Sequence, residues 1–468
     1  MDLDVRQPET PPKANHLCVL VHGLWGNPTH LDYVSTSLRQ RYSEDRLYIL
    51  AAKRNAGNFT YDGIELGGER LAHEIEETLE ELTAKGYDIK KFSIVGYSLG
   101  GLVARYALGL LNARGWLDKL EPVNFTTFVS PHVGVRTPLK GFQNHIWNVL
   151  GARSVSMSGR QLFMIDSFRD TNKPLLSVLA DPGSIFIQAL AKFQNRCAYA
   201  NIVNDRSAVF YTTGISSVDP FKNLDDINLN YIKGYEPVVV DSDVYSLPPE
   251  TKEPTLPVSG IGQKALKILT NLPFWLFIIF FVPIGAILFL LNAAVQTFRS
   301  RKRIRLHEEG KTDVFFGGYK VPVIVQDVRH AMEDVFENVN ARQHAEYLSA
   351  STNSARRRTP VSTSEKANTI QIKTKALAQE PTSAGDSLST SPASPTEICS
   401  GDEEDILALT PAQFAIIDSL NSVGFRKYPV YIHKHRHSHA AIIVRMPKKG
   451  FEEGQVVIKH WLDNEFKI

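Results

Sequence analysis

Along the first half of the chain, short apolar runs alternate with longer stretches whose apolar residues recur every three or four positions. The runs at 17–21, 47–51, 92–95, 124–129 and 196–203 are brief and rich in aliphatic, β-branched or aromatic residues, which predicts strands. Between the second and third, Leu71, Ala72, Ile75, Leu79 and Leu82 stand amid glutamates over 69–84, the spacing of an amphipathic helix. After the third, Leu102, Val103, Tyr106 and Ala107 mark another helix with a buried face. Strands alternating with helices predict a mostly parallel α/β sheet. Residues 135–195, with Leu139, Phe142, Ile146 and Trp147 among polar neighbours, read as a helical insertion over that sheet and a candidate lid.

The pattern changes beyond 246. Residues 247–260 are rich in Pro, Ser and Thr and read as a linker. Residues 272–291 then run without a charge, the length of one membrane span. Low-complexity Ser, Thr, Pro, Ala and Lys fill 349–404, the composition of a disordered linker. Its Arg356-Arg357-Arg358 run and the acidic residues at 402–405 read as solvated charge. Order is expected to resume near 405, with a helix over 411–420, a strand at 430–432 and a closing amphipathic helix over 455–466.

Composition narrows the class. With 43% hydrophobic and 22% charged residues the chain is globular, and a net charge of +2 gives no mandate for nucleic acid. The three cysteines, Cys18, Cys197 and Cys399, are odd in number and far apart, so neither a disulfide framework nor a metal spacing follows. Residues 1–15 are polar, carry Pro8, Pro11 and Pro12, and lack the basic start and apolar core of a secretory signal. A reducing compartment is the expectation, with the catalytic region facing the cytosol.

Chemistry enters at Gly96-Tyr97-Ser98-Leu99-Gly100, a G-x-S-x-G placed between a predicted strand and a predicted helix. A serine hydroxyl attacks only when it is exposed, aimed at a base and close to oxyanion donors. A sharp strand-to-helix turn meets the first condition for Ser98, and Gly96 and Gly100 keep side chains from crowding it. Such a serine needs a histidine, and that histidine an orienting acid, in the chain order Ser, acid, His. Asp205 follows the last of the five strands, whereas its rivals Asp219 and Asp241 follow no such strand. Of the later histidines, those at 433, 435, 437 and 439 lie in the best location; His439, next to Ala440-Ala441-Ile442, is preferred over His437. Their alternation admits a metal reading, but no companion Cys, Asp or Glu cluster supports it. The two oxyanion donors are expected from the N–H groups of Leu99 and Leu24, the latter in His22-Gly23-Leu24-Trp25-Gly26, where His22 braces the loop and Gly23 is a supporting residue.

The motifs His22-Gly23-Leu24-Trp25-Gly26, Gly96-Tyr97-Ser98-Leu99-Gly100-Gly101, Ser130-Pro131-His132-Val133-Gly134 and Ser438-His439-Ala440-Ala441 resemble the fungal serine esterase and lipase-like family, within it most closely its lipid-droplet phospholipases. The resemblance covers 16–240 well and 405–468 moderately. It implies an α/β-hydrolase fold and an acyl-enzyme hydrolysis of phospholipids or other glycerolipids, with Ser98, Asp205 and His439 as the triad and neither metal nor cofactor. Tyr97 stands where many lipases have His. Competing readings are a transacylase or protein thioesterase on the same fold, or a non-catalytic membrane adaptor.

The expected organisation is a disordered 1–15, a catalytic core over 16–246, a linker and membrane-associated segment over 247–310, a return segment over 311–348, the disordered linker, and a part of the core over 405–468 that carries the histidine. One full crossing at 272–291 would put His439 on the far side of the membrane from Ser98. Pro283 and Gly285 near its middle permit a bend instead, giving two arms of nine or ten residues, each about 14 Å long as helix. Lys264 and Lys267 before it, and Arg299, Arg301, Lys302, Arg303 and Arg305 after it, favour both flanks in the cytosol. A monotopic hairpin on a lipid droplet or the endoplasmic reticulum is therefore expected, with a membrane or droplet monolayer as partner and no nucleic acid.

Overall fold

The computed structural model describes residues 13–136, 156–205, 208–222, 224, 227–248, 294–309, 407 and 409–468. Six strands form one parallel sheet in the order β2-β1-β3-β4-β5-β8. They are β1 His16–Val21, β2 Tyr48–Ala51, β3 Lys91–Tyr97, β4 Glu121–Phe128, β5 Asn195–Asn201 and β8 Arg426–Val430, while β6 Asn228–Leu229 and β7 Ser246–Leu247 pair apart as a small antiparallel ribbon. Parallel neighbours need crossovers, and helices supply them: α1 Asp32–Arg41 after β1, α2 Ile64–Ala84 after β2, α3 Leu99–Ala113 after β3. Reversal of strand order about β1, with helices on both faces, is the doubly wound arrangement of an α/β hydrolase.

Both faces are covered because side chains alternate along each strand. Leu17, Val19, Val21, Phe92, Ile94 and Phe125 pack with α2, α3 and the helices Leu175–Leu179, Ile185–Ala191 and Pro411–Val423. Cys18, Leu20, Val95, Phe128 and Tyr199 face the other way, onto α1 and the C-terminal stretch from Ala440 to Phe466. Burial on both sides explains why the central strands read as near-continuous apolar runs.

The last sixty residues are part of this core. The helix Pro411–Val423 starts with a capping box, in which Thr410 and Gln413 satisfy each other's backbone N–H groups, and it leads into β8. The strand expected at 430–432 lies earlier, at Arg426–Val430; Tyr431 already leaves it, because its N–H donates to Val238 rather than to the sheet. The closing helix runs Glu452–His460 and relaxes into a wider turn over Trp461–Glu465. Trp461 is fully buried; its indole N–H donates to Thr126 Oγ1 at 3.0 Å and its ring meets Phe128 and Phe466. Asn124 then exchanges two hydrogen bonds with the backbone of Lys467, at 2.7 and 3.0 Å.

Residues 1–12 of the expected disordered start, 137–155 of the candidate lid, 249–260 of the linker, the apolar stretch at 272–291, the whole return segment over 311–348 and the linker over 349–404 lie outside the described residues, whereas Leu247, expected in the linker, belongs to β7. Among the described residues no helix is long and apolar enough to cross a membrane. The described part of 135–195 is helical, at Ser156–Leu162, Leu175–Leu179 and Ile185–Ala191.

Truncating a fully buried aromatic of this kind costs about 3–5 kcal/mol. Trp461→Ala is therefore expected to lower unfolding free energy by that amount in urea titration, although it lies far along the chain from β3. His16 and His460 are buried, and burial drives both imidazoles down to about 4. The folded state refuses protons that the unfolded chain accepts below about 6.5, so stability is full above that pH and falls between about 6.5 and 4, by ~1.4 kcal/mol per pH unit for each group. The urea midpoint should track that decline, and replacing both histidines by Gln should make it shallower, with the remainder due to His22, His30 and His132, whose burial lowers them in the same direction.

Candidate active site

Ser98 occupies the single residue between β3 and α3, with φ 55° and ψ −127°. A non-glycine residue with positive φ is strained, and the surroundings hold it there. Its N–H donates to Phe128 O at 2.9 Å, continuing the β3–β4 ladder, while its carbonyl accepts from Gly101 N as α3 begins. The turn fits because glycines surround it. A Cβ on Gly23 would lie 2.7 Å from Ser98 Cβ, and one on Gly100 would lie 2.2 Å from Val21 O. Gly96 is as tightly placed, with Gly101 Cα 2.4 Å from where its Cβ would be.

His439 lies in the first turn of the short helix Ser438–Ala441. Its Nε2 is 2.9 Å from Ser98 Oγ, and its Nδ1 is 2.7 Å from Asp205 Oδ2. The Asp205 carboxylate is almost wholly buried, just past the end of β5, and also accepts from Ala208 N at 2.9 Å and Asn201 Nδ2 at 3.2 Å. Two further contacts fix the imidazole's backbone: Tyr97 OH donates to His439 O at 3.0 Å, and Ser438 Oγ donates to Val203 O at 2.8 Å. Tyr97 packs its ring against His439, and burial raises its phenol pKa, so the hydroxyl stays a donor. With a hydroxyl, an imidazole and a carboxylate in one line, the arrangement is that of a serine nucleophile with base and orienting acid.

The loop after β1 lies against this group. Gly23 O accepts from Gly26 N at 3.0 Å and lies 3.1 Å from His22 Nδ1. In a trans peptide the following N–H points the opposite way, so that of Leu24 faces out of the loop, one residue from the glycine that touches Ser98. Burial lowers the His22 pKa, which leaves a neutral ring to brace the turn. Leu99 opens α3, where the first N–H groups have no carbonyl one turn earlier. Trp25 has φ 55° and is tied outward: its N–H donates to Thr60 Oγ1 and its indole N–H to Tyr61 OH. A narrow cavity lined by Val21, His22, Asn55, Phe59, Leu99 and Val103 adjoins the Leu99 end of the site.

The rival residues take other places. Asp219 and Asp241 accept backbone N–H groups two residues on and close turns. His437 precedes the helix that carries His439, and its N–H donates to His435 Nδ1. His433 pairs with Glu453 at 3.2 Å. Among the described residues no group of three or more His, Cys, Asp or Glu is placed to hold a metal. The positioning role of Tyr97 escaped sequence reasoning, since a tyrosine inside G-x-S-x-G carries no signal of a partner 342 positions away.

The fold and site thus define an α/β hydrolase with a serine-centred site. Residues 11–218 match the family described as "Putative serine esterase (DUF676)". Curated relatives include "Putative lipase ROG1" of Saccharomyces cerevisiae, 31% identical over 216 residues, which are 45% of this chain and 30% of the relative. Another is "Putative lipase C4A8.10" of Schizosaccharomyces pombe, 26% identical over 55% of this chain and 32% of the relative. The chain spans about a third of the length of these relatives. Solved structures that overlap it include the RedJ thioesterase of Streptomyces coelicolor, at 19% identity and a TM-score of 0.24 over 45% of this chain and 76% of that one. The phospholipase PlaB of Legionella pneumophila overlaps at 11% identity and a TM-score of 0.27 over 42% and 40%.

Proposed function

We propose that this chain is a serine hydrolase that cleaves carboxylic esters of glycerolipids at a membrane or lipid-droplet surface. The observation that carries the reading is the Ser98–His439–Asp205 line, with hydrogen-bond distances on both sides of the imidazole. His439 Nε2 takes the proton as Ser98 Oγ attacks the ester carbonyl. The developing oxyanion is met by the N–H groups of Leu24 and Leu99, each worth about 3–4 kcal/mol of barrier in sites of this kind. The proton then passes from His439 to the departing alkoxide, which leaves an acyl group on Ser98. Water, deprotonated by His439, releases the fatty acid. Asp205 holds the ring in the tautomer that presents Nε2 and stabilises the imidazolium. Glycerolipid as substrate class is supported by the lipase relatives and by the uncharged stretch at 272–291.

Fluorophosphonate labelling and fatty-acid release from phospholipid emulsions test the reading together. Wild type is expected to do both, Ser98→Ala neither, and Asp205→Asn to lose about 10⁴-fold in kcat. Equal release by wild type and Ser98→Ala would overturn the hydrolase. Acyl transfer to an added lysolipid in place of release would overturn hydrolysis in favour of a transacylase.

We propose attachment as a hairpin with both ends cytosolic, a reading supported by the basic residues on either side of 272–291 and by the need to keep His439 beside Ser98. A glycosylation acceptor placed after residue 310 is expected to stay unmodified in microsomes, and its modification would contradict the hairpin.

A further inference from the structure

Residues 294–309, helical through 308, follow the uncharged stretch closely in the sequence and are locked onto the hydrolase. Arg303 Nε and Nη2 both reach the Asp62 carboxylate, at 2.9 and 2.6 Å, and Arg70 Nη2 takes the same carboxylate at 2.7 Å from another side. The Asp62 side chain is fully buried, so this is a charge clamp shielded from water. Ser300 Oγ donates to Tyr61 O at 3.3 Å, and His307 Nε2 lies 2.7 Å from Glu69 Oε2. Ser300, Arg303 and His307, spaced three and four apart, thus define the docked face.

The opposite face is exposed and mixes aromatic with basic residues. Val295, Phe298, Arg301, Lys302 and Arg305 lie on it, and Phe298 is 73% exposed. Over 294–309 five cations stand against two acids, Glu308 and Glu309. The clamp connects this face to the active-site loop. Asp62 directly follows the turn of helix Gly57–Tyr61, whose Thr60 and Tyr61 bond Trp25. Trp25 and Phe59 are themselves 51% and 44% exposed, and Arg303 stacks over the Phe59 ring at 5.2 Å.

We infer that Trp25, Phe59 and the outer face of the 294–308 helix form one docking surface for an anionic phospholipid layer, which brings the Leu24 loop to the interface from which the ester is drawn. Exposed aromatics interleaved with Lys and Arg are the composition of a helix lying in a headgroup region. The apolar stretch just upstream in the sequence argues for lipid as the occupant, and the excess of cations argues for anionic lipid. The inference rests on the hydrolase reading for the meaning of the Leu24 loop, and its test separates the two.

The full chain is assayed on a soluble short-chain ester and on vesicles of phosphatidylcholine with and without phosphatidylserine. Wild type should hydrolyse vesicle lipid faster when phosphatidylserine is present. Reversal of Arg301, Lys302 and Arg305 to Glu should remove that preference, while soluble-ester turnover stays within twofold. Substitution of the same three by Gln should fall between. Brominated phospholipid should quench Trp25, read as the difference between wild type and Trp25→Phe, and the triple reversal should weaken that quenching on vesicles that contain phosphatidylserine. Equal wild-type rates on both vesicles, or a Trp25 signal that brominated lipid leaves untouched, would overturn the docking surface. Loss of soluble-ester turnover in wild type would strike the hydrolase reading alone, since Trp25 quenching is read without catalysis.

Discussion

The pairing of β8 with β5 is the constraint on which the site depends. Cys197 to Asn201 pair in register with Arg426 to Val430, joining segments more than two hundred residues apart. That ladder places Asp205 just past the end of one strand and His439 past the end of its neighbour, within reach of each other and of Ser98 two strands away. Without it the imidazole has no defined position, because Ser438–Ala441 is a single turn with little helical stability of its own. Closing a loop of this length carries an entropic penalty that grows only slowly with its length. Burial of Trp461, Ile458 and Val457 beneath β4 and β5 opposes that penalty.

Much of this was legible in the chain because the informative signals are local. The five early strands and α2 follow from residue spacing, and the glycine pattern around Ser98 states its geometry directly: side chains are absent where they would strike Val21 O or Gly101. The spatial joining of Ser98, Asp205 and His439 was anticipated from chain order and flanking elements. The end of β8 was less legible. Val430, Tyr431 and Ile432 all favour strands, but Tyr431 turns to bond Val238, a tertiary choice that propensity cannot express. Tyr97 as a brace for His439 and Asp62 as the socket for Arg303 were illegible for the same reason, since each is a pairing of distant residues with ordinary local context.

Two buried carboxylates organise the molecule in different ways. Asp205 sits behind one imidazole and accepts further backbone and amide donors, so its charge is directed at a single group. Asp62 is gripped by two guanidinium groups, one from α2 and one from the helix over 294–308. The first gives the site its chemical polarity. The second makes the helix beyond the uncharged stretch a rigid extension of the wall that holds Trp25. On the proposed function both are needed, since the ester has to meet the hydroxyl and the protein has to meet the lipid surface.

The most direct test of the account is a crystal structure of the full chain after reaction with a phosphonate ester. Phosphorus is expected on Ser98 Oγ, its free oxygen within hydrogen-bond distance of the Leu24 and Leu99 nitrogens, and the His439 ring beside it with Nδ1 still on Asp205. A phosphonate on another residue, or one on Ser98 with no imidazole from the C-terminal segment at its side, would contradict it.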